Sequence, residues 1–251
     1  MGNNLKKNVL ITGASSGIGR AMALMMAEMG HELYLVARRR DRLEELEKEI
    51  ARKVHLLPFD VNDPKLIVEL QKISAGKIDV LINNAGLALG REKVEKSDFA
   101  DWEKMISTNM TANFRMVHTV LPWMLKNGEG DIINLCSVAG HYTYPGGAVY
   151  CATKFAVQAF TRVLREETCG KNIRVMQISP GMVETDFSKV RFKGDEKLAD
   201  MVYAGMTPLT STDVAEMMVF MLSRPRHVVI DEIITMPTDQ GSPTTVSRKE
   251  S

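Results

Sequence analysis

Cysteine is scarce in this chain. Cys136, Cys151 and Cys169 are the three in 251 residues, and they form no C-x-x-C pair and no metal-ligand cluster. That excludes a disulfide framework, leaves no metal to expect, and suits a reducing compartment. An excess of charge of either sign is also missing. Lys plus Arg number 32 against 31 Asp plus Glu, so no long-range field draws the molecule to nucleic acid or to an anionic membrane, and neither is an expected partner. Long apolar runs are absent. Met1 to Lys7 leads straight into an apolar stretch at residues 8–12 that is too short for a secretory signal or a membrane span, and a cytoplasmic location is expected. No internal repeat or Pro-, Gly- or Ser-rich linker divides residues 1–251, which read as one domain. A domain of that size buries roughly 75% of its unfolded surface and needs no covalent staple.

What is present is an alternation of short apolar runs with helical patterns. Strands are predicted at Val9–Thr12, Glu32–Ala37, Lys53–Leu57, Ile78–Asn83, Asp131–Cys136, Ile173–Ile178 and Val228–Met236. Helices are predicted at Gly17–Met29, Arg40–Ala51, Pro64–Ile73, Asp101–Leu125 with Pro122 near its end, Val149–Thr168 and Thr212–Leu222. Continuous apolar strands between helices argue for a parallel sheet covered on both faces, a Rossmann-type doubly wound α/β fold of about seven strands. The 17 methionines are scattered and read as core filling. One irregular insertion, 187–209, has the length of a lid or binding loop. The polar tail 241–251 is expected to be disordered or to reach a neighbouring subunit.

Between the first strand and the first helix lies Thr12-Gly13-Ala14-Ser15-Ser16-Gly17-Ile18-Gly19. Glycines let a backbone turn sharply and approach a pyrophosphate, whose charge meets free N–H groups at the helix N-terminus. The spacing is G-x-x-x-G-x-G rather than G-x-G-x-x-G, and alone it also suits a plain strand-to-helix turn. The second strand ends in Arg38-Arg39-Arg40, with no carboxylate before Asp41. A carboxylate there would select NAD by holding the ribose 2′-hydroxyl. Guanidinium groups instead match the 2′-phosphate of NADP. A solvated basic helix start is the alternative, but cations at a helix N-terminus oppose the macrodipole.

Tyr150 and Lys154 stand four apart on one predicted helix and share a face, while Ser137 ends the strand before it. Hydride transfer to a carbonyl leaves an alkoxide that must take a proton. A free tyrosine titrates near ~10, and a neighbouring ammonium together with a nicotinamide's positive charge lowers that value. Ser137 can hydrogen-bond and polarise the substrate oxygen. In isolation Y-x-x-x-K is a chance pattern; after the glycine turn and the basic strand end it becomes specific.

From Lys7 to about Pro243 the sequence closely resembles the short-chain dehydrogenase/reductase family. The resemblance rests on Thr12 to Gly19, Asp60-Val61, Asn83-Asn84-Ala85-Gly86, Asn109, Ser137, Tyr150-Cys151-Ala152-Thr153-Lys154 and Pro180-Gly181. It implies that Tyr150 is the general acid/base, that Lys154 lowers its pKa and binds the nicotinamide ribose, that Ser137 orients the substrate, and that Asn109 holds a water in a proton relay. NADP contacts are implied for Gly13, Ser15, Ser16, Gly17, Ile18, Gly19, Arg38, Arg39, Asp60, Val61, Asn83, Ala85 and Gly86. The segment Pro180 to Ser188, with Pro180, Gly181, Val183 and Thr185 in contact, would cover the nicotinamide.

Residues 84–90, 184–195 and 236–240 resemble the NADP-dependent 3-hydroxy acid dehydrogenase branch, which includes serine and allo-threonine dehydrogenases. That likeness implies oxidation of a 3-hydroxyl, reduction of assorted carbonyls, and a cytoplasmic homotetramer. A broad carbonyl or dicarbonyl reductase is the other enzymatic reading, and a non-catalytic NADP(H)-binding protein is a third. Substrate contacts are expected from Ser137, Tyr150, Gly181 and Arg191, the last offering a cation to a carboxylate. Arg191 could instead be a surface residue paired with Asp195 or Glu196. Cys136 and Cys151 read as small buried hydrophobes and His118 as structural, while His141 is left open.

Overall fold

The computed structural model describes residues 6–249. Met1 to Leu5, part of the segment read above as no leader, and the last two residues of the polar tail lie outside the described residues.

Strand β1 (Asn8–Thr12) feeds helix α1 (Gly17–Glu28), and the pattern repeats through β2 (Glu32–Val36), α2 (Arg40–Ile50), β3 (His55–Leu57), α3 (Pro64–Ser74) and β4 (Val80–Asn83). After β4 come α4 (Phe99–Met105), a π-helical segment at Ile106–Thr111, α5 (Ala112–Asn127), β5 (Gly130–Leu135), α6 (Ala148–Glu167) and β6 (Ile173–Pro180). Two short helices, α7 (Asp186–Arg191) and α8 (Glu196–Met201), precede α9 (Ser211–Leu222) and β7 (Glu232–Thr235). All seven strands pair in parallel in the order β3-β2-β1-β4-β5-β6-β7. The expected doubly wound α/β sheet is what the chain forms.

Each strand sends alternate side chains to opposite faces. Val9, Ile11, Leu33, Leu35, Ile82 and Met176 meet α1, α2 and α9, where Met22, Met26, Met218 and Met221 fill the layer. Leu10, Tyr34, Leu81, Ile132 and Val175 meet α3, α5 and α6 on the other side. With a layer on both faces the inner strands β1, β4, β5 and β6 have no wet side, which is why those sequence runs were continuously apolar. Strand order reverses between β1 and β4, and the connections leaving them diverge. A crevice opens there at the carboxyl ends of the strands.

Four stretches differ from the sequence reading. The single helix expected over 101–125 is broken into α4 and α5 by the π-helical turn. The last strand covers only Glu232–Thr235, because residues 225–228 close a turn through Val228 N–H to the Pro225 carbonyl. The insertion holds two helices rather than irregular chain. The described part of the tail folds back onto its own chain: the Lys249 amide donates to the Gly205 carbonyl at 2.7 Å, and the Arg248 guanidinium donates to the Val202 carbonyl at 2.9 Å.

Candidate active site

The glycine turn between β1 and α1 forms one wall of a cleft of about 430 Å³, within the size range of small-molecule sites (about 300–1,000 Å³). Gly13 has φ +68°, and a Cβ there would lie 2.8 Å from the Asn84 amide nitrogen; at Gly19 a Cβ would lie 2.4 Å from the Gly13 carbonyl. Only glycine fits at either place. Asn84 Nδ2 donates to the Thr12 carbonyl at 2.9 Å, and Thr12 Oγ1 accepts from the Asn84 and Ala85 amides at 3.0 Å each. The loop after β4 is thereby locked to the turn after β1. Ser16 caps α1 without a side-chain bond, and the first turn has no acidic residue, so the leading N–H groups face the cleft uncompensated. An anionic pyrophosphate fits that cradle.

Arg38 and Arg39 are exposed at the cleft rim, and Arg39 reaches Ser15 Oγ at 3.5 Å. Arg40 is not with them; it pairs with Glu44 at 3.6 Å on its own helix. Asp60 and Val61 line the same end. Burial pushes the Asp60 carboxyl up, but the Asn62 amide, Lys104 at 3.6 Å and Arg38 outweigh it and hold the group below its usual value. The donors for a 2′-phosphate are in place, so the residues fit NADP.

At the far end Tyr150, Lys154 and Ser137 come together, all buried. Lys154 Nζ lies 5.8 Å from the Tyr150 ring centre and donates to the Leu135 carbonyl at 3.0 Å. Ser137 stands two residues past the end of β5, accepts from the Ala139 amide at 3.1 Å and so caps the short turn Val138–Gly140. Phe187 meets the Tyr150 ring edge-on at 5.7 Å. Burial pushes the Tyr150 phenol well above its ordinary value; nearby Tyr144 adds to this, while Ser137 and the Arg191 charge pull the other way. Burial also pushes the Lys154 amine down. The expected lowering of the phenol by Lys154 is therefore not the dominant influence. Desolvation of the phenolate wins, and Arg191 is the cation that opposes it.

Arg191 pairs with neither Asp195 nor Glu196 among the described residues. Its guanidinium carbon lies 5.9 Å from the Tyr150 ring and 5.7 Å from that of Tyr144, and Nη1 donates to the Tyr144 hydroxyl at 3.3 Å. Gly181 borders the cleft where Gln240 Oε1 accepts from the Met182 amide at 2.7 Å; a Cβ at 181 would collide with that oxygen.

Three expected site residues do not line the cleft. Gly19 sits behind the turn, serving close approach alone. Asn83 points into the sheet floor, its amide donating to the Asn113 carbonyl at 2.9 Å and to Asn134 Oδ1 at 3.3 Å. Asn109 is buried in the π-helical segment, where its side chain exchanges two 2.8 Å bonds with the Leu87 backbone and donates to Thr153 at 3.2 Å. It braces the cleft wall. The other expected residues, from Gly13 to Ile18, Ala85, Gly86, Pro180, Val183 and Thr185, border the cleft. Phe187 and Phe192 join them from the segments expected to cover the site, while Tyr144 and Pro243 join unannounced, the first signalled only by its closeness in sequence to the Tyr150 motif.

A doubly wound sheet with such a cleft defines a class of dinucleotide-binding α/β proteins. Within that class the chain belongs to the short-chain dehydrogenase family, whose model matches residues 7–196. It is 46% identical to an NADP-dependent 3-hydroxy acid dehydrogenase of Schizosaccharomyces pombe, over 97% of each chain. It is 43% identical to sulfoacetaldehyde reductase 2 of Chromohalobacter salexigens, over 93% of this chain and 95% of that one. The closed form of a serine dehydrogenase complexed with NADP+ superimposes with a TM-score of 0.91 at 39% identity, covering 97% of this chain and 100% of the other.

Proposed function

We propose that this chain is an NADP(H)-dependent oxidoreductase that interconverts the 3-hydroxyl of small 3-hydroxy acids, of the L-serine, L-allo-threonine and 3-hydroxybutyrate type, with the corresponding carbonyl. The observation that carries this reading is a cation, Arg191, 5.9 Å from the ring of the one buried phenol in a cleft whose other end offers Arg38 and Arg39. When bound, the nicotinamide supplies or accepts the hydride. In reduction, Tyr150 gives its proton to the developing alkoxide while Ser137 donates to the same oxygen; in oxidation Tyr150 takes that proton back. Lys154 holds the ribose side of the cofactor and a second positive charge beneath the ring. Asn109 keeps the Leu87 segment and the approach to Lys154 in place. Residues 187–209 act as a cover: Phe187, Arg191 and Phe192 exclude water from the reacting atoms.

The anion held by Arg191 and the Tyr144 hydroxyl need not be a carboxylate. The likeness to a sulfoacetaldehyde reductase favours a second reading in which a short aldehyde bearing another oxyanion is reduced. Rates with L-serine, L-allo-threonine, 3-hydroxybutyrate, sulfoacetaldehyde and diacetyl, with NADP(H), test both. Turnover of the uncharged dicarbonyl alone would support a broad carbonyl reductase and overturn the assignment. A cytoplasmic homotetramer agrees with the sparse cysteines and with exposed Ile234 on the edge strand β7 and Phe220 on α9, apolar surface suited to a second copy. Light scattering of the full chain tests the assembly, and subcellular fractionation the location.

A further inference from the structure

Behind the cleft, out of reach of any substrate, lies a polar cluster that the chemistry above does not use. Glu232 on β7 accepts at a single oxygen, Oε1, from Ser179 Oγ at 2.5 Å, from His141 Nε2 at 2.6 Å and from Gln177 Nε2 at 2.7 Å. Gln158 Nε2 stands against the same ring, 2.8 Å from His141 Nδ1 and 3.1 Å from Nε2. A carboxylate oxygen only accepts, so its 2.6 Å contact with Nε2 places a ring proton on that nitrogen, pointing at Glu232. His141 and Glu232 side chains are only 16% and 15% exposed. In such surroundings an unmade bond costs more than in water, so the set of partners is demanding.

The partners matter because of what each is attached to. His141 closes the turn that Ser137 caps, its amide donating to the Val138 carbonyl at 3.0 Å. Gln158 lies one turn beyond Lys154 on α6, the helix that also carries Tyr150. Ser179 precedes Pro180 and Gly181 at the end of β6, where the strand enters the cleft. One imidazole thus ties together the three elements that present Ser137, Tyr150 with Lys154, and Gly181. The turn also touches the helix directly: a Cβ on Gly140 would stand 3.1 Å from the Lys154 carbonyl and 2.6 Å from Cys136 Sγ. A shift of the His141 turn has no slack to absorb it and moves Ser137 against Tyr150.

We infer that His141, anchored by Glu232 and Gln158, is a positioning residue that sets the spacing of Ser137 from Tyr150 and Lys154. This rests on the oxidoreductase reading above. Misplacement of reacting groups by about 1 Å costs on the order of 10²-fold in rate while leaving distant binding contacts intact. His141→Ala should therefore lower kcat by roughly ten- to a hundredfold, with NADPH affinity, set mainly at the glycine turn and arginines, largely kept. His141→Gln restores an N–H donor near the Nε2 position and should recover most of the rate.

The test is steady-state kinetics of wild type, His141→Ala, His141→Gln and Tyr150→Phe, with NADPH affinity from its fluorescence and melting temperatures alongside. Should the alanine variant fail to fold, His141→Leu, near in volume and unable to hydrogen-bond, takes its place. A kcat loss reversed by glutamine at constant NADPH affinity supports the inference. An unchanged kcat in the alanine or leucine variant overturns it, as does a glutamine variant no better than alanine, or a loss of rate and of NADPH affinity together. An inactive Tyr150→Phe beside an unaffected His141→Ala sinks this inference alone; turnover surviving in Tyr150→Phe sinks the catalytic reading with it.

Discussion

Arg191 and Gly90 grip each other across the mouth of the cleft. The Gly90 amide donates to the Arg191 carbonyl at 2.9 Å, and Arg191 Nε donates to the Gly90 carbonyl at 3.1 Å. The end of α7 is thus pinned to the loop after β4, residues far apart in the chain. With Nε engaged in this way, the rest of the guanidinium is directed at Tyr144 and the space above Tyr150 rather than outward to Asp195 or Glu196.

Arg191→Ala removes the side-chain half of the clasp and the cation, leaving the backbone bond from the Gly90 amide. A hydrogen bond to a charged partner contributes about 1.5–3 kcal/mol, or roughly ten- to a hundredfold in binding. KM for 3-hydroxybutyrate and other anionic substrates should rise by that factor, with diacetyl affected far less. Equal effects on charged and uncharged substrates would show that Arg191 acts only as a loop fastener.

The same substitution has a pH consequence. Burial raises the Tyr150 phenol above its ordinary value and Arg191 moderates that rise. A raised value keeps the group protonated at neutral pH, ready to donate. Reduction should therefore hold its kcat/KM from neutral pH upward, while oxidation, which needs the phenolate, should climb with pH. Removing Arg191 takes away a stabiliser of the phenolate, so the oxidative limb should move to higher pH. Tyr150→Phe should lose about 10²–10⁴-fold in both directions, the usual contribution of a positioned proton donor. An oxidation rate flat from pH 7 to 10 would contradict the assignment.

Most of this site could be read from residue order, because the groups that matter come from strand ends and one helix face. The glycine turn, Arg38, Ser137, Tyr150 and Lys154 are fixed by that geometry once the strands are found. What escaped the sequence depended on contacts between distant segments. Asn109 looks like an ordinary helical residue until the Leu87 backbone is seen to take up its amide and interrupt the helix. Asn83 and Asn84 are adjacent and alike, yet strand alternation turns the first into the floor and the second toward the glycine turn. The tail looked free because its polar residues carry no periodicity; its anchors are backbone carbonyls of Val202, Ala204 and Gly205, which no composition can announce.

Cofactor choice should respond to Arg38, which lines the adenine end beside Asp60 and Val61. Arg38→Asp replaces a cation with an anion and should weaken NADP+ by roughly a hundredfold or more, on the order of 3 kcal/mol for a charge-assisted bond lost and a repulsion gained. NAD+, without the 2′-phosphate, should bind nearly as before. Dissociation constants for both cofactors decide it. Parallel losses would mean the arginine supports the fold of the rim and reads no phosphate.

Stability toward acid should trace to Asp131, at the opposite edge of the sheet. Its side chain is fully buried and accepts from Arg174 at 2.7 and 2.9 Å and from Lys7 at 3.0 Å, with Arg226 also paired to it. Burial pushes its carboxyl up, but the bonds and charges of Arg174, Lys7 and Arg226 outweigh that and hold it below the usual range. A depressed value in the folded protein means a stabilising contribution that is full above the unfolded value, near ~4, and disappears as pH falls through the folded one. Asp131→Asn leaves the Arg174 guanidinium buried without its counter-charge, a loss of about 3–5 kcal/mol at pH 7 for a broken buried pair. Measured by denaturant unfolding, the gap between variant and wild type should narrow as the buffer is taken below pH 4, since wild type then loses its own charge. A gap that stays constant down to pH 2 would mean that Asp131 is retained for its shape and hydrogen bonds alone, and that the ionised carboxylate adds nothing to the fold.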